Sequence, residues 1–168
     1  MTSIAKSHSQ KQRTVPDAVQ LLTSDHAEVS ALFKKYEKLA KANAEASDRQ
    51  AHAEQICTLL TVHATIEEEI FYPAARGAGI ADAMMDEADV EHAAAKDLIA
   101  QIRAMSPEED HYDAKVKVLG EQIEHHVEEE QDEMFPKCRA VGMDLAALGK
   151  ALAERKDALM QEAGEEIV

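Results

Sequence analysis

Apolar positions recur every three to four residues through most of the chain, the period of a helix that hides one face. The first stripe is Ala18, Leu22, Val29, Leu32, Phe33, Tyr36 and Leu39. It predicts a helix that opens at Thr14-Val15-Pro16-Asp17, where Thr14 can cap and Pro16 suits a first turn, and that ends near Ala42. Beyond a polar turn at 43–47, Ile56, Leu59, Ile66 and Ile70 predict a second helix over 48–71, closed by Pro73 and the Gly77-Ala78-Gly79 turn. Met84, Ala88, Ala95, Ile99 and Ile102 give a third over 80–104. Ser106-Pro107-Glu108-Glu109 reads as a capping box that opens a fourth, running to Phe135 with Tyr112, Val116, Leu119, Ile123 and Met134 inward. After Gly142 and Asp144, the spacing of Leu145, Leu148, Leu152, Arg155 and Leu159 predicts a shorter fifth helix, packed across the others or against a second copy of the chain. The expected fold is all-α, an up-down-up-down antiparallel four-helix bundle with an extra C-terminal helix. Residues 1–13 are expected to form a flexible tail, 14–136 the bundle, and 137–168 a turn and short helix with a frayed end.

Six polar residues stand on these apolar stripes. His26 lies between Leu22 and Val29, His92 between Ala88 and Ala95, and the pairs His63/Glu67 and His126/Glu130 each occupy one helical turn. His125 is rotated by about 100° from its neighbour, so the phase selects His126 as the inward one. The arrangement repeats: His63-x-x-x-Glu67 is followed by Phe71-Tyr72-Pro73, and 63 residues later His126-x-x-x-Glu130 is followed by Phe135-Pro136. A lone inward His precedes each pair, by 37 residues from His26 to His63 and by 34 from His92 to His126. Folded as a bundle, two such sets face each other. Single inward histidines are ordinarily hydrogen-bonded core residues, but two ionised carboxylates buried face to face repel, and divalent cations between them remove that cost. Imidazole nitrogen with bridging carboxylate oxygen suits iron, manganese or zinc. Two ions bridged by Glu67 and Glu130, each held by two His, leave coordination positions open, which points to reactivity. Asp25 and Glu91, each preceding a lone His, can hold the second nitrogen of a ligand imidazole or face water.

Composition narrows the partners. A formal charge of −15 with 18 Lys and Arg against 33 Asp and Glu excludes a phosphate backbone or anionic membrane surface as the natural partner. No apolar run approaches ~20 residues and the first thirteen lack a signal-like apolar centre, so a cytoplasmic protein is expected. Cys57 and Cys138 stand alone and read as idle thiols.

From Pro16 to Pro136, His26, His63-x-x-x-Glu67, His92 and His126-x-x-x-Glu130 resemble the hemerythrin-like family, in particular the bacterial domains named for His-His-Glu cation binding. The spacing differs from the ferritin-like Glu-x-x-His pattern. The resemblance implies a non-haem di-iron centre, two Fe ions joined by the carboxylates and an oxo or hydroxo group, with manganese or zinc as lesser alternatives. It also implies a small partner, O2, peroxide or NO, and a part in oxidative or nitrosative stress. Catalase-like, peroxidase-like or NO-related turnover is one outcome; non-catalytic binding, storage or sensing of iron or oxygen is the other. Oxygen carriers of the family have a fifth His one turn after the third-helix His, where this chain has Lys96. Lysine when protonated offers no lone pair, so the centre expected is four His and two Glu, and reversible oxygen carriage is disfavoured.

Overall fold

The computed structural model describes residues 14–166, among which seven α-helices, two π-helical turns and no strand are found. Four are long: α1 (Ala18–Lys41), α2 (Ala46–Ile66), α4 (Asp82–Arg103) and α5 (Tyr112–Glu129). The short α3 (Tyr72–Gly77) and α6 (Phe135–Ala140) extend α2 and α5, and α7 (Leu145–Glu166) lies across the assembly. Up-down alternation brings the N-terminal halves of α1 and α4 beside the C-terminal halves of α2 and α5. One apolar layer therefore forms at that end around Leu22, Ile66, Phe71, Met85, Phe135 and Leu152. A second forms at the other end around Val29, Ile56, Leu60, Ile99, Val116 and Leu119. The polar residues of the stripes lie between the two layers. The expected tail, with His8, lies outside the described residues.

Several boundaries depart from the periodicity. Asp17, not Thr14, caps α1: its side chain accepts from the Gln20 N–H at 2.8 Å while Gln20 Oε1 accepts from the Asp17 N–H at 3.0 Å. The fourth long helix starts at Tyr112, not after Pro107. The Ser106 N–H does reach the Glu109 carboxylate, but His111 then takes a left-handed φ of 73° and breaks the run. Arg49 donates to the Pro107 carbonyl at 3.0 Å and, like Tyr36, to Asp113, tying this turn down.

The prolines do not end their helices. Glu67–Phe71 and Glu130–Met134 are π-helical turns, in which the Tyr72 and Phe135 N–H groups donate five residues back, to the carbonyls of Glu67 and Glu130. The wider turn relieves the clash that a proline ring makes with the carbonyl four residues back in a straight helix. The chain thus continues through Pro73 to Gly77 and through Pro136 to Ala140.

Helix α7 is 22 residues long, longer than the short helix expected, and runs as far as Glu166, while the last two residues of the expected frayed end lie outside the described residues. It packs on α1, α2 and the first π turn. A Cβ at Gly149 would fall 2.3 Å from the Pro16 carbonyl oxygen and 2.8 Å from the Ala18 nitrogen, so the absence of a side chain permits this close crossing. Arg155 and Lys156 complete the contact through Glu69 at 2.8 Å and Asp25 at 2.6 Å.

Candidate metal centre

The fold brings all six residues singled out in the sequence to one place. His26, His63, Glu67, His92, His126 and Glu130 are each at most 8% exposed. One donor set comprises His26, His63, Glu67 and Glu130, the other Glu67, His92 and His126. Glu67 serves both, with Oε1 3.0 Å from His63 Nε2 and Oε2 3.1 Å from His92 Nε2. Glu130 Oε1 lies 2.8 Å from His126 Nε2 and 3.5 Å from His26 Nε2. The repeat pairs each lone His with the His of its own half, as expected, while both carboxylates reach across. His125 is turned outward and pairs with Glu129 at 3.1 Å.

Proton inventory shows what this arrangement is short of. Each of the four imidazoles has an acceptor on its outer nitrogen: Gln131 for His26 at 2.9 Å, Asp25 for His63 at 3.1 Å, Glu68 for His92 at 3.3 Å, and Glu91 for His126 at 3.3 Å. An imidazole that donates through Nδ1 presents a lone pair at Nε2. The Nε2 atoms then face each other in pairs, His26 with His63 at 3.2 Å and His92 with His126 at 3.1 Å. Two lone pairs at that range repel. In that tautomer Glu67 Oε1 and Glu130 Oε1, fully enclosed, receive no hydrogen bond among the described residues, because the nitrogens beside them, His63 Nε2 at 3.0 Å and His126 Nε2 at 2.8 Å, have no proton to give. Cations answer both problems. Two ligands at right angles, each about 2.1 Å from one ion, stand about 3.0 Å apart, which is the spacing observed. The donor set therefore fits metal.

In the metal-free protein, protons take the place of cations. Burial alone would push the His63 imidazole down, but Glu67, Asp25 and Glu130 together lift it to about 10. Burial likewise opposes charge on His126, and Glu130, Glu67 and Glu91 raise it to about 9. Burial would raise Glu67, yet His63 and His92 hold it well below the usual carboxylate range.

Sequence reasoning missed Tyr72. Its hydroxyl lies 3.1 Å from His92 Nε2, 3.2 Å from His126 Nε2, 3.2 Å from Glu67 Oε2 and 3.3 Å from Glu130 Oε2. Burial and the two carboxylates push this phenol well above its ordinary value. The equivalent aromatic in the second copy is Phe135, which stacks on His26 at 6.0 Å with no hydroxyl to offer. The Tyr/Phe difference between the two copies was the available signal. The centre is consequently asymmetric, with a phenol on the His92/His126 half only.

Around it, Lys96 does not occupy a ligand position. It donates to Glu68 at 2.5 Å, the carboxylate that holds His92. Lys156 stands in the same relation to Asp25 and His63. Beside the four imidazoles a cavity of about 40 Å³ is walled by Val29, Leu60, Ala95, Ile99, Ile123 and Val127, enough for a molecule of two or three heavy atoms.

An all-helical bundle enclosing facing His/Glu sets defines a metal-binding four-helix protein. More closely, residues 17–138 match the model of the hemerythrin HHE cation binding domain, and the chain belongs to that family. It is similar in fold to the crystal structure of a hemerythrin HHE cation binding domain-containing protein from Mycobacterium kansasii, with a TM-score of 0.75 and 22% identity over 90% of this chain and 92% of the other. It is also 28% identical over 141 residues to a DNA nickase of Nostoc sp. strain PCC 7120, a match covering 82% of this chain but 37% of that protein. Among the described residues no helix is long and apolar enough to cross a membrane.

Proposed function

We propose that the chain holds two iron ions between α1, α2, α4 and α5 and reacts with a small oxidant, O2, peroxide or NO, in the cavity beside them. His26 and His63 would hold one ion and His92 and His126 the other, with Glu67 and Glu130 placed to serve both. The observation that carries this reading is the pair of facing Nε2 contacts, each imidazole fixed from behind by an acceptor on Nδ1. Iron suits the mixed nitrogen and oxygen set, and bound iron supplies exchange of one or two electrons with the small ligand. The chain's own part is to orient, to enclose and to manage protons. Asp25, Glu68, Glu91 and Gln131 fix ring orientation, and the apolar walls of the cavity keep bulk water from the reacting molecule. Tyr72, its hydroxyl 3.1 Å from His92 Nε2 and 3.2 Å from His126 Nε2, would add a phenol oxygen to the residues that hold the ion on that half.

The acidic surface gives no support for carrying the nickase's activity to this chain, which spans little more than a third of that protein. The test is aerobic purification with metal analysis and an absorption spectrum. Close to two irons per chain with near-ultraviolet charge-transfer bands are expected, whereas colourless protein that takes only zinc when iron is ample refutes the redox assignment. Adding peroxide or NO to the reduced protein then separates the outcomes. Sustained consumption assigns an enzyme; a stoichiometric, reversible spectral change assigns binding or sensing.

A further inference from the structure

The two halves of the repeat differ on their outer faces. Along α1, α2 and the first π turn, Leu21, Val62, Ile66 and Ile70 are buried or half-buried on the side of the bundle where α7 lies. The corresponding positions of the second half are Glu87, His125, Glu129 and Glu133, and three of these are exposed. Glu87, Glu129 and Glu133, with Glu91, line a cavity of about 60 Å³ between α4 and α5 that His126 and Glu130 also line, and His125 stands outside it. At its mouth Glu91, His125 and Glu129 each place a ligand atom within 4.8 Å of the others. At its floor Glu130 is 1% exposed and has an oxygen with no hydrogen-bond partner.

An uncovered helix face is ordinarily charged because water solvates it. Solvation does not account for the single sign. Among the described residues lining the cavity there are five glutamates and no Lys or Arg. An imidazole joins two of the carboxylates at the rim, in the His-x-x-x-Glu spacing that the inner centre also uses. A low-dielectric cleft lined by one sign concentrates counter-ions. Glu91 links mouth to floor, since its Oε1 already accepts from His126 Nδ1 at 3.3 Å.

We propose that Glu91, His125 and Glu129 form an outer, transient site for a divalent cation, and that ions pass from it through the acidic cavity to the His92/His126 half of the centre. This rests on the two-metal reading above. With His125 exposed and Glu91 and Glu129 half-buried, the site would hold an ion weakly enough to release it to the glutamates of the cavity. On the other side α7 closes the equivalent route, so loading proceeds from one face.

Cobalt(II) is the probe. Metal-free full-length protein is mixed with Co2+ in a stopped-flow instrument, and the visible absorption of the occupied centre is followed in wild type, in the double variant H125Q/E129Q, and in E124Q. The last removes one carboxylate, as the double variant does, but at a position lining the separate groove between α1 and α5. Loading of H125Q/E129Q is expected to slow by about tenfold or more while final cobalt per chain is unchanged; E124Q is expected to load at the wild-type rate. Equal rates in all three proteins, or equal slowing in both variants, overturn the proposal. If wild type takes up no cobalt at all, the two-metal reading fails with it. Uptake of two ions at an unchanged rate in H125Q/E129Q removes the outer site alone.

Discussion

Metal binding to this centre should expel a countable number of protons. At pH 7.5, imidazoles lifted to about 10 and about 9 leave His63 and His126 protonated in the metal-free protein. An ion requires the lone pair, so each of the two must lose its proton. The Tyr72 phenol, pushed well above its ordinary value, loses a third if the oxygen becomes a ligand. Anaerobic titration of weakly buffered metal-free protein with Co2+, monitored by a pH indicator, is therefore expected to release about three protons per two ions. Tyr72→Phe is expected to release about two. Release below one per chain, or identical release by the two proteins, refutes the assignment of protons or of Tyr72 respectively. Stability follows with opposite signs in the two forms. For the metal-free protein, the folded-state imidazoles sit above their unfolded value, so their contribution is complete below pH ~6.5 and is lost as pH rises through 9 to 10. A loss of a few kcal/mol corresponds to a fall in Tm of about 10 °C for a chain of this size. For the loaded protein, protons compete with metal, and Tm rises over the same approach to neutrality from acid.

Gly149→Ala sets two effects against each other: about 1 kcal/mol gained from helix propensity, and the cost of a Cβ forced to 2.3 Å from the Pro16 carbonyl oxygen. The neighbour is backbone and cannot step aside, so overpacking of about 3 kcal/mol prevails; urea unfolding should show net destabilisation, and a variant as stable as wild type would show that α7 crosses α1 less closely. Lys156→Met removes the partner of Asp25 and should weaken binding of the His26/His63 ion by several-fold to about tenfold, read by competition with a chelator, with the other ion unaffected. Ile123→Trp should fill the cavity of about 40 Å³, leaving two metals per chain but suppressing azide binding to the loaded protein; unchanged azide affinity places the open position elsewhere.

The helical period was enough to choose His126 over His125 and to gather six inward residues, because burial of one helix face is a local property of spacing. The π turns were not legible. Each carries the chain about one turn past a proline that by rule should stop it. Tyr72 was overlooked for the same reason: its direction depends on that extra residue, which shifts the helix phase just before it. The acceptors behind the imidazoles were half visible. Asp25 and Glu91 were noted beside the lone histidines, yet each serves the His of the neighbouring helix, a pairing that only packing reveals. Length of α7 and its docking depend on Gly149 meeting the start of α1, a contact between residues with no periodic signature.

The lysines around the centre make its two positions electrically unlike. Asp25, behind His63, is neutralised by Lys156, and Gln131, behind His26, carries no charge. On the other half Lys96 pairs with Glu68, but among the described residues no lysine pairs with Glu91, and the phenol of Tyr72 adds a further negative charge once ionised. The His92/His126 position is thus the more electron-rich of the two, and in the proposed di-iron form an ion held there would favour the higher oxidation state. A single electron added to that form would then reside at the ion held by His26 and His63. A mixed-valence state trapped on that side should give an electron paramagnetic resonance signal that azide perturbs strongly; a fully delocalised signal would mean that the two sites share the electron despite their surroundings.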